Sequence, residues 1–129
     1  MALVCIAAPA VVYVAMGMAP VPENDAEPYT EYRLMQVPPP PDSNLTGFED
    51  DWRTRDGKCL GFAILFISNN QDWTLISGSL VDPLTEARFS HMFAARGEVA
   101  FDPVAGLFFD RQKYYEFFHV TNTTEYEYN

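Results

Sequence analysis

Prolines divide this 129-residue chain into regions that can fold in very different ways. Seven of the ten prolines fall between residues 20 and 47, in a stretch with few branched apolar side chains. A proline ring fixes the backbone angle φ and removes a hydrogen-bond donor, so regular helix or sheet is disfavoured there. We expect residues 20–47 to form an extended connector or surface arm, in which the run Pro38–Pro41 adopts polyproline II geometry. That run can be a ligand for an aromatic groove, although a strap over the domain or a spacer to a neighbour explains it more simply.

Composition and charge limit the functions that the rest of the chain can have. Hydrophobic residues make up 48% of the sequence and aromatic residues 15%, which is enough to bury the core of one domain. Eighteen acidic against eight basic residues give a formal net charge of -10. Binding to a nucleic-acid backbone needs a clustered basic face, so nucleic acid is not an expected partner.

Residues 2–19 carry no charge and have the length of a membrane-spanning helix or a signal peptide. No lysine or arginine occurs before Arg33, so the basic flank of either segment is missing, and Pro9 interrupts the apolar run. We therefore expect one or two buried strands, at about residues 3–7 and 11–15. A membrane span is the less favoured alternative.

Residues 48–120 have the pattern of a single α+β domain. Asp56 is a favourable N-cap residue, and the apolar run after it predicts a buried helix over about residues 57–68. Alternating apolar residues and turn signals predict strands over residues 73–81, 87–95 and 98–102. We expect a mostly antiparallel sheet, from about residue 73 to 118, packed on this helix.

Four shorter segments complete the expected domain. Asp82-Pro83 predicts a turn, and Arg96-Gly97 predicts a two-residue hairpin loop. The aromatic run over residues 108–118 fits either a strand or a short helix. Residues 121–129 are expected to form a polar tail.

The predicted hairpin places two chemically useful side chains opposite each other. With a two-residue loop at Arg96-Gly97, His91 lies directly opposite Asp102 in the antiparallel pair. Directly opposed Cβ atoms are about 4.5–5.5 Å apart, which allows a hydrogen bond between the imidazole and the carboxylate. A slip of one residue would place the two side chains on opposite faces of the sheet. In the expected register, the pair supplies a general base and the group that orients it.

Cys59 falls in the first turn of the predicted helix. The positive end of the helix dipole and the unpaired N–H groups there favour the thiolate form of a cysteine, and Lys58 adds to this effect. The same N–H groups can stabilise an oxyanion. The sequence therefore predicts a catalytic triad in which Cys59 is the nucleophile, His91 the general base and acid, and Asp102 the orienting group.

These residues also have simpler structural interpretations. A buried cysteine is most often chemically inert, and a lone histidine such as His91 is more often part of a core than of a catalytic site. Trp52 and Phe93 are candidates for the oxyanion site or the substrate cleft, but both are also explained as core residues. A bridge between Cys5 and Cys59 is possible in an oxidising compartment, although nothing in the spacing favours it. A zinc site with four nitrogen or sulfur ligands would need every cysteine and histidine of the chain, so no metal and no other cofactor is expected.

The residues around the predicted triad resemble a known family. The matching segments are Gly57-x-Cys59 followed by Ala63, Trp73-x-Leu75-x-x-Gly78, Ser90-His91-Met92-Phe93, Val99-x-x-Asp102-Pro103 and the pair Tyr114-Tyr115. Together they are similar to the small papain-like and transglutaminase-like cysteine proteins of bacteria and phages, over roughly residues 52–118. The family prefers tryptophan at the position of Phe93 and glutamate at the position of Ala95. The resemblance implies a papain-like or transglutaminase-like core and says nothing about residues 1–47.

Two classes of function follow from this resemblance and from the predicted triad. The first is a thiol-dependent amide hydrolase or acyltransferase, such as a peptidase, deamidase or transglutaminase-like enzyme, that acts on a protein or peptide substrate. The second is a non-enzymatic structural component of a large assembly such as a phage particle, with a repurposed cysteine-protease-like fold. In that class, residues 1–47 and 121–129 would contact neighbouring subunits. The resemblance favours the bacterial cytoplasm or a phage particle as the location.

Overall fold

Antiparallel pairing organises the part of the chain that the computed structural model describes, residues 32–83 and 85–127. Within these ranges the strands are β1 (Gln36–Val37), β2 (Thr74–Val81), β3 (Arg88–Arg96), β4 (Val99–Asp102), β5 (Leu107–Asp110) and β6 (Thr121–Tyr126). They form one sheet in the order β1-β5-β4-β3-β2-β6, and every neighbouring pair is antiparallel. The strands expected at residues 3–7 and 11–15 lie outside the described residues.

Two helices cover opposite faces of this sheet. These are α1 (Cys59–Asn69) and α2 (Arg111–Phe117); among the described residues, 32–35 are also helical, and a short 3-10 helix covers Trp52–Thr54. Successive residues of a strand point to opposite faces. In β4, the ring of Phe101 stacks on Phe66 of α1 with centroids 3.9 Å apart, whereas the next residue, Asp102, bonds to Tyr114 of α2. This is the α+β class expected from the sequence, with an antiparallel sheet packed on the helix that carries Cys59.

Apolar side chains hold α1 against the sheet. Its buried residues are Cys59, Ala63, Phe66 and Ile67, a spacing that places them on one side of a helix. Burying each large apolar side chain contributes about 1.5–3 kcal/mol. The side of α1 that faces the sheet, and with it Cys59, is therefore fixed by hydrophobic packing.

The helix α1 begins two residues later than the sequence predicts. Gly57 has a φ of 76°, a left-handed conformation that a right-handed helix cannot contain, so the helix begins after it. The N-cap residue is Lys58, which makes no side-chain capping bond, rather than Asp56. Cys59 is consequently the first residue of α1.

The hairpin between β3 and β4 turns one residue later than predicted. Arg96 belongs to β3 and pairs with Val99, so the loop consists of the two residues between them. Gly97 has a φ of 57°, which glycine adopts without steric cost, and it therefore takes the first loop position. The prediction that His91 lies directly opposite Asp102 is wrong, because the register is shifted by two positions. A shift of two keeps both side chains on the same face and makes them diagonal neighbours.

The C-terminal part of the domain contains more regular structure than expected. The run over residues 108–118 forms both elements considered for it, since β5 ends at Asp110 and α2 follows at once. The Asp110 carboxylate accepts a hydrogen bond from the N–H of Lys113 at 3.0 Å and caps α2. Residues Thr121–Tyr126, expected to lie in a polar tail, form β6 and pair with β2 at the edge of the sheet.

Part of the proline-rich arm lies against the domain. β1 pairs with β5, and the side chains of Tyr32 and Met35 are buried. After the prolines, the guanidinium of Arg96 bonds to the carboxylate of Asp42 at 2.8 Å. These contacts hold this part of the arm against the domain, as expected for a strap. Within the described ranges, no helix is long and apolar enough to cross a membrane.

Candidate active site

His91 of β3 and Asp102 of β4 meet in the interior between the sheet and α2. His91 Nε2 lies 2.9 Å from Asp102 Oδ2, and the two side chains are 5% and 0% exposed. Diagonal neighbours in an antiparallel pair are farther apart than direct partners, but a long side chain such as histidine spans the difference. The structure thus brings two of the predicted site residues into contact, by a register that the sequence did not predict.

The carboxylate of Asp102 accepts four hydrogen bonds. Oδ2 accepts from His91 Nε2 and from the hydroxyl of Tyr114, the latter at 2.7 Å. Oδ1 accepts from the backbone N–H groups of Val104 at 2.9 Å and Ala105 at 3.1 Å. The two backbone bonds arise from the sequence Asp-Pro, because an aspartate at the start of a turn bonds to the N–H groups that follow it. His91, Asp102 and Tyr114 are referred to below as the Asp102 cluster.

The protonation states of the Asp102 cluster follow from burial and charge. Burial raises the pKa of Asp102, but the attraction to His91 and the hydrogen bonds from His91, Tyr114 and the Ala105 N–H outweigh it and hold this pKa below its usual value. Burial and the negative charge of Asp102 raise the pKa of Tyr114 well above its usual value. At neutral pH, Asp102 is ionised and Tyr114 carries its proton. The tyrosine hydroxyl is therefore the donor, because a carboxylate has no proton to give.

An ionised Asp102 also determines which nitrogen of His91 carries the proton in the neutral ring. Nε2 faces an oxygen that can only accept, so Nε2 must be the protonated nitrogen. In that tautomer the ring lone pair is on Nδ1. Nδ1 is the ring atom that can take a proton from a nucleophile.

Aromatic rings enclose His91. The centroid of its ring lies 6.0 Å from that of Phe89 and 6.5 Å from that of Phe93. Phe93 is fully buried and also contacts Tyr114 and Tyr115. The ring of Phe93 thus packs in the core beside the histidine, and its assignment to the oxyanion site or the cleft stays a prediction.

Cys59 lies at the N-terminus of α1, where its side chain is 2% exposed. Its sulfur is disulfide-bonded. The only other cysteine of the sequence, Cys5, lies outside the described residues. The expected thiol is therefore covalently blocked in this form of the protein, and Cys59 can act as a nucleophile only after reduction.

The N-terminus of α1 lies at the end of the sheet where the turn after Asp102 lies, although the body of α1 covers the other face. Arg55, which is 3% exposed, connects the two places. Its Nε donates to the carbonyl oxygen of Val104 at 2.9 Å, and its own carbonyl accepts from the N–H of Lys58 at 3.0 Å. A short chain of contacts thus links the residue before Cys59 to the turn that Asp102 caps.

Trp52 begins the 3-10 helix and is half-buried. The guanidinium carbon of Arg53 lies 4.9 Å from the centroid of its ring, a cation–π contact. Trp52 is seven positions before Cys59 in the sequence. Its assignment to the cleft stays a prediction.

Sequence reasoning assigned no role to Tyr114. The pair Tyr114-Tyr115 enters the sequence analysis only through the resemblance, although Asp110 as a helix cap indicates a helix there. That the hydroxyl of Tyr114 reaches Asp102 depends on how α2 crosses the sheet, and no local pattern in the sequence encodes that crossing.

Comparison with protein-family models, with curated proteins and with solved structures finds no match to this chain. The described residues hold no group of three or more histidine, cysteine, aspartate or glutamate side chains placed to bind a metal ion. Inference about function therefore depends on the geometry of the Asp102 cluster and of Cys59.

Proposed function

We propose that this chain is a thiol-dependent amide hydrolase or acyltransferase that uses Cys59, His91 and Asp102 on a papain-like or transglutaminase-like core. The observation that supports this most is the bond between His91 Nε2 and the buried, ionised carboxylate of Asp102. That bond selects one tautomer of His91 and leaves Nδ1 as the base. We propose a protein or peptide amide as the substrate.

The reaction needs a thiol, so the disulfide at Cys59 must first be reduced. A dithiol reductant transfers two hydrogen atoms to the two sulfurs and is itself oxidised to a disulfide. The proposal requires the Cys59 thiol, which lies at the end of the sheet where Arg55 contacts the turn after Asp102, to give its proton to His91 Nδ1. The resulting thiolate attacks the carbonyl carbon of the amide, and a carbon–sulfur bond forms.

The leaving group departs with the proton that His91 has taken up. The imidazolium protonates the amide nitrogen, the carbon–nitrogen bond breaks, and a thioester remains on Cys59. Water or a second amine then attacks the thioester and transfers its proton to Nδ1. The carbon–sulfur bond breaks, the acid or the new amide leaves, and the Cys59 sulfur takes the proton back from Nδ1. The attacking group decides between hydrolysis and acyl transfer.

The start of α1 supplies donors for the oxyanion. Phe62 N donates the first hydrogen bond of the helix, to the carbonyl of Lys58, so the N–H groups of Leu60 and Gly61 precede the first intrahelical bond. Lys58 also makes no side-chain capping bond. We propose that these two N–H groups stabilise the tetrahedral intermediate.

The test measures the rate at which iodoacetamide alkylates Cys59 in the full chain, located by mass spectrometry, before and after treatment with dithiothreitol. We expect no labelling before reduction, because the sulfur is bonded. After reduction, we expect His91→Ala to lower the labelling rate at pH 7 at least about tenfold, since the base is lost. His119→Ala changes the other histidine of the chain, which is exposed, and is the matched control. Equal rates for the reduced wild type and His91→Ala would contradict the proposal.

A second measurement follows the acyl-enzyme itself. Reduced protein mixed with p-nitrophenyl acetate should release a burst of nitrophenol close to one equivalent and gain one acetyl group on Cys59. Cys59→Ser should show neither. A reduced wild type that gives no burst and no acetylated Cys59 would contradict acyl transfer at this site.

A non-enzymatic structural component of a large assembly, such as a phage particle, is the second candidate. The burial of Cys59 and its disulfide favour it, because a sealed, cross-linked sulfur suits stability better than catalysis. The expected partners are neighbouring subunits that contact residues 1–47 and 121–129. In that case the reduced protein loses stability, and His91 has no effect on the reactivity of Cys59.

A further inference from the structure

We propose that Tyr114 is a positioning residue for this chemistry, which holds the carboxylate of Asp102 in the orientation that keeps His91 in a single tautomer. This inference rests on the proposed function. Tyr114 itself touches neither Cys59 nor, in the proposed reaction, the substrate. It acts through Asp102.

The geometric support for this role is that two donors, from Tyr114 and His91, bond to the same oxygen of Asp102. The Tyr114 hydroxyl at 2.7 Å and His91 Nε2 at 2.9 Å both bond to Oδ2 of Asp102. Tyr114 and Asp102 are 0% exposed and His91 is 5% exposed, so water cannot easily replace either donor. A bond to a buried charged acceptor is among the stronger hydrogen bonds in proteins.

The ring of Tyr114 is fixed by packing. Its centroid lies 5.3 Å from that of Phe93, 5.2 Å from that of Phe109 and 5.0 Å from that of Phe118. A ring held by three aromatic neighbours has little freedom, and its hydroxyl therefore points to one place. Packing of the Tyr114 ring therefore fixes the position of its hydroxyl, which is the hydrogen-bond donor to Asp102.

The two oxygens of Asp102 are held by different means. Oδ1 is bound by the N–H groups of Val104 and Ala105, which belong to the same turn as Asp102 and move with it. Oδ2 is bound by side chains from two other elements, β3 and α2. Without Tyr114, His91 alone would hold Oδ2, and this oxygen would be held less firmly against rotation about the bond to the β-carbon, which the two N–H groups on Oδ1 still oppose. His91 Nε2 would then lose its aligned acceptor for part of the time.

The test compares Tyr114→Phe with Tyr115→Phe in the full-length chain. Tyr115 is the next residue of α2 and also contacts Phe93, but its hydroxyl accepts hydrogen bonds from Arg111. The readout is the nitrogen-15 chemical shifts of His91, which distinguish a proton on Nε2 from a proton on Nδ1. We expect the wild type and Tyr115→Phe to show the Nε2–H form and Tyr114→Phe to show a mixture. A merely structural role for Tyr114 would not change the tautomer.

A second readout is the alkylation rate of the reduced Cys59. We expect Tyr114→Phe to lower it about threefold to tenfold, because the base is correctly oriented for a smaller part of the time. Tyr115→Phe should leave it unchanged. The loss should be smaller than in His91→Ala, since the base itself is retained.

The outcomes separate this inference from the proposed function. An unchanged tautomer in folded Tyr114→Phe overturns the positioning role. A changed tautomer, combined with a wild type whose Cys59 reactivity does not depend on His91, supports the hold of Tyr114 on His91 and overturns the enzyme. If Tyr114→Phe does not fold, a measurement on the wild type tests the positioning role instead. Its Tyr114 hydroxyl proton should give a slowly exchanging resonance with a nuclear Overhauser effect to the Nε2 proton of His91, and the absence of that contact overturns the inference.

Discussion

The two faces of the sheet bury neighbouring residues of β4 in opposite ways. On the α1 face, the ring of Phe101 packs among aromatic rings, with centroids 5.2 Å from Phe48, 3.9 Å from Phe66 and 4.8 Å from Phe108. On the α2 face, the next residue is Asp102, a carboxylate with four hydrogen-bond donors. Both residues are 0% exposed. Consecutive residues of β4 therefore contribute to an apolar core on one face of the sheet and to a buried charge on the other.

The difference between the two faces shows where the domain contains a buried charge that stability alone does not require. An apolar core forms from size and shape alone, and it tolerates exchange among apolar residues. A buried charge costs several kcal/mol in desolvation, and an apolar side chain in its place is often at least as stable when the whole polar network is replaced. The α2 face keeps its charge and a full set of donors. Strongly perturbed buried groups of this kind are candidates for chemistry, and the proposed general base and its orienting group lie on this face.

The largest expected effect is that of Asp102→Leu, which removes the acceptor but leaves its donors. His91 Nε2, the Tyr114 hydroxyl and two backbone N–H groups then stay buried without partners. We expect the free energy of unfolding to fall by about 3–5 kcal/mol. Urea denaturation of the oxidised protein at pH 7 measures this. A loss below about 1 kcal/mol would show that the donors find other partners and that the cluster is not tightly built.

Replacement of the neighbouring residue Phe101 by leucine, on the α1 face, should destabilise the protein less than Asp102→Leu. Phe101→Leu exchanges one apolar side chain for a smaller one, and we expect the free energy of unfolding to fall by about 1–2 kcal/mol. The denaturation slope should stay unchanged, since the exposed area on unfolding is nearly the same. A loss as large as that of Asp102→Leu would contradict the distinction between the faces.

The parts of this fold that local sequence patterns encode were predicted well. The apolar run after Asp56 predicted α1 to within two residues at its start, and alternating residues predicted β2 and β3 with similar accuracy. The sheet class followed from the order of those elements. In each case the signal lies in residues that are close in sequence, so no knowledge of packing was needed.

The contacts that define the candidate site depend on information that is not local. The register of β3 against β4, and with it the position of His91 relative to Asp102, depends on which loop position Gly97 occupies. Gly97 takes the first position because its backbone is left-handed there. The bond from Tyr114 depends on the path of α2 across the sheet. Cys59 is disulfide-bonded, and no local pattern around it in the sequence indicates that bond.

A smaller effect is expected from acid, and it isolates the charge of Asp102. The pKa of this carboxyl is lowered in the folded state, so its contribution to stability is complete above the usual pKa of about 3.9 and is lost as the pH falls through the folded value. Asp102→Asn cannot titrate at this position. We therefore expect the urea midpoints of the wild type and Asp102→Asn to lie closer together at pH 2.5 than at pH 6. A gap that stays constant or widens would contradict an ionised Asp102.

The smallest expected effect concerns the turn that presents Asp102. Gly106 closes this turn by donating its N–H to the carbonyl of Asp102 at 2.7 Å, with a φ of 70°. A Cβ atom there would lie 3.3 Å from Nη2 of Arg55, whereas a Cβ at Gly97, which has a φ of 57°, would meet open space. Both Gly→Ala variants carry the left-handed strain of about 1 kcal/mol.

Only Gly106→Ala should also disturb Arg55, and through it the turn that holds Oδ1 of Asp102. We therefore expect Gly106→Ala to lower the melting temperature more than Gly97→Ala does. After reduction, we also expect it alone to slow the alkylation of Cys59. Equal melting temperatures and equal alkylation rates would mean that Arg55 moves aside without consequence. In that case the turn after Asp102 does not couple the N-terminus of α1 to the Asp102 cluster.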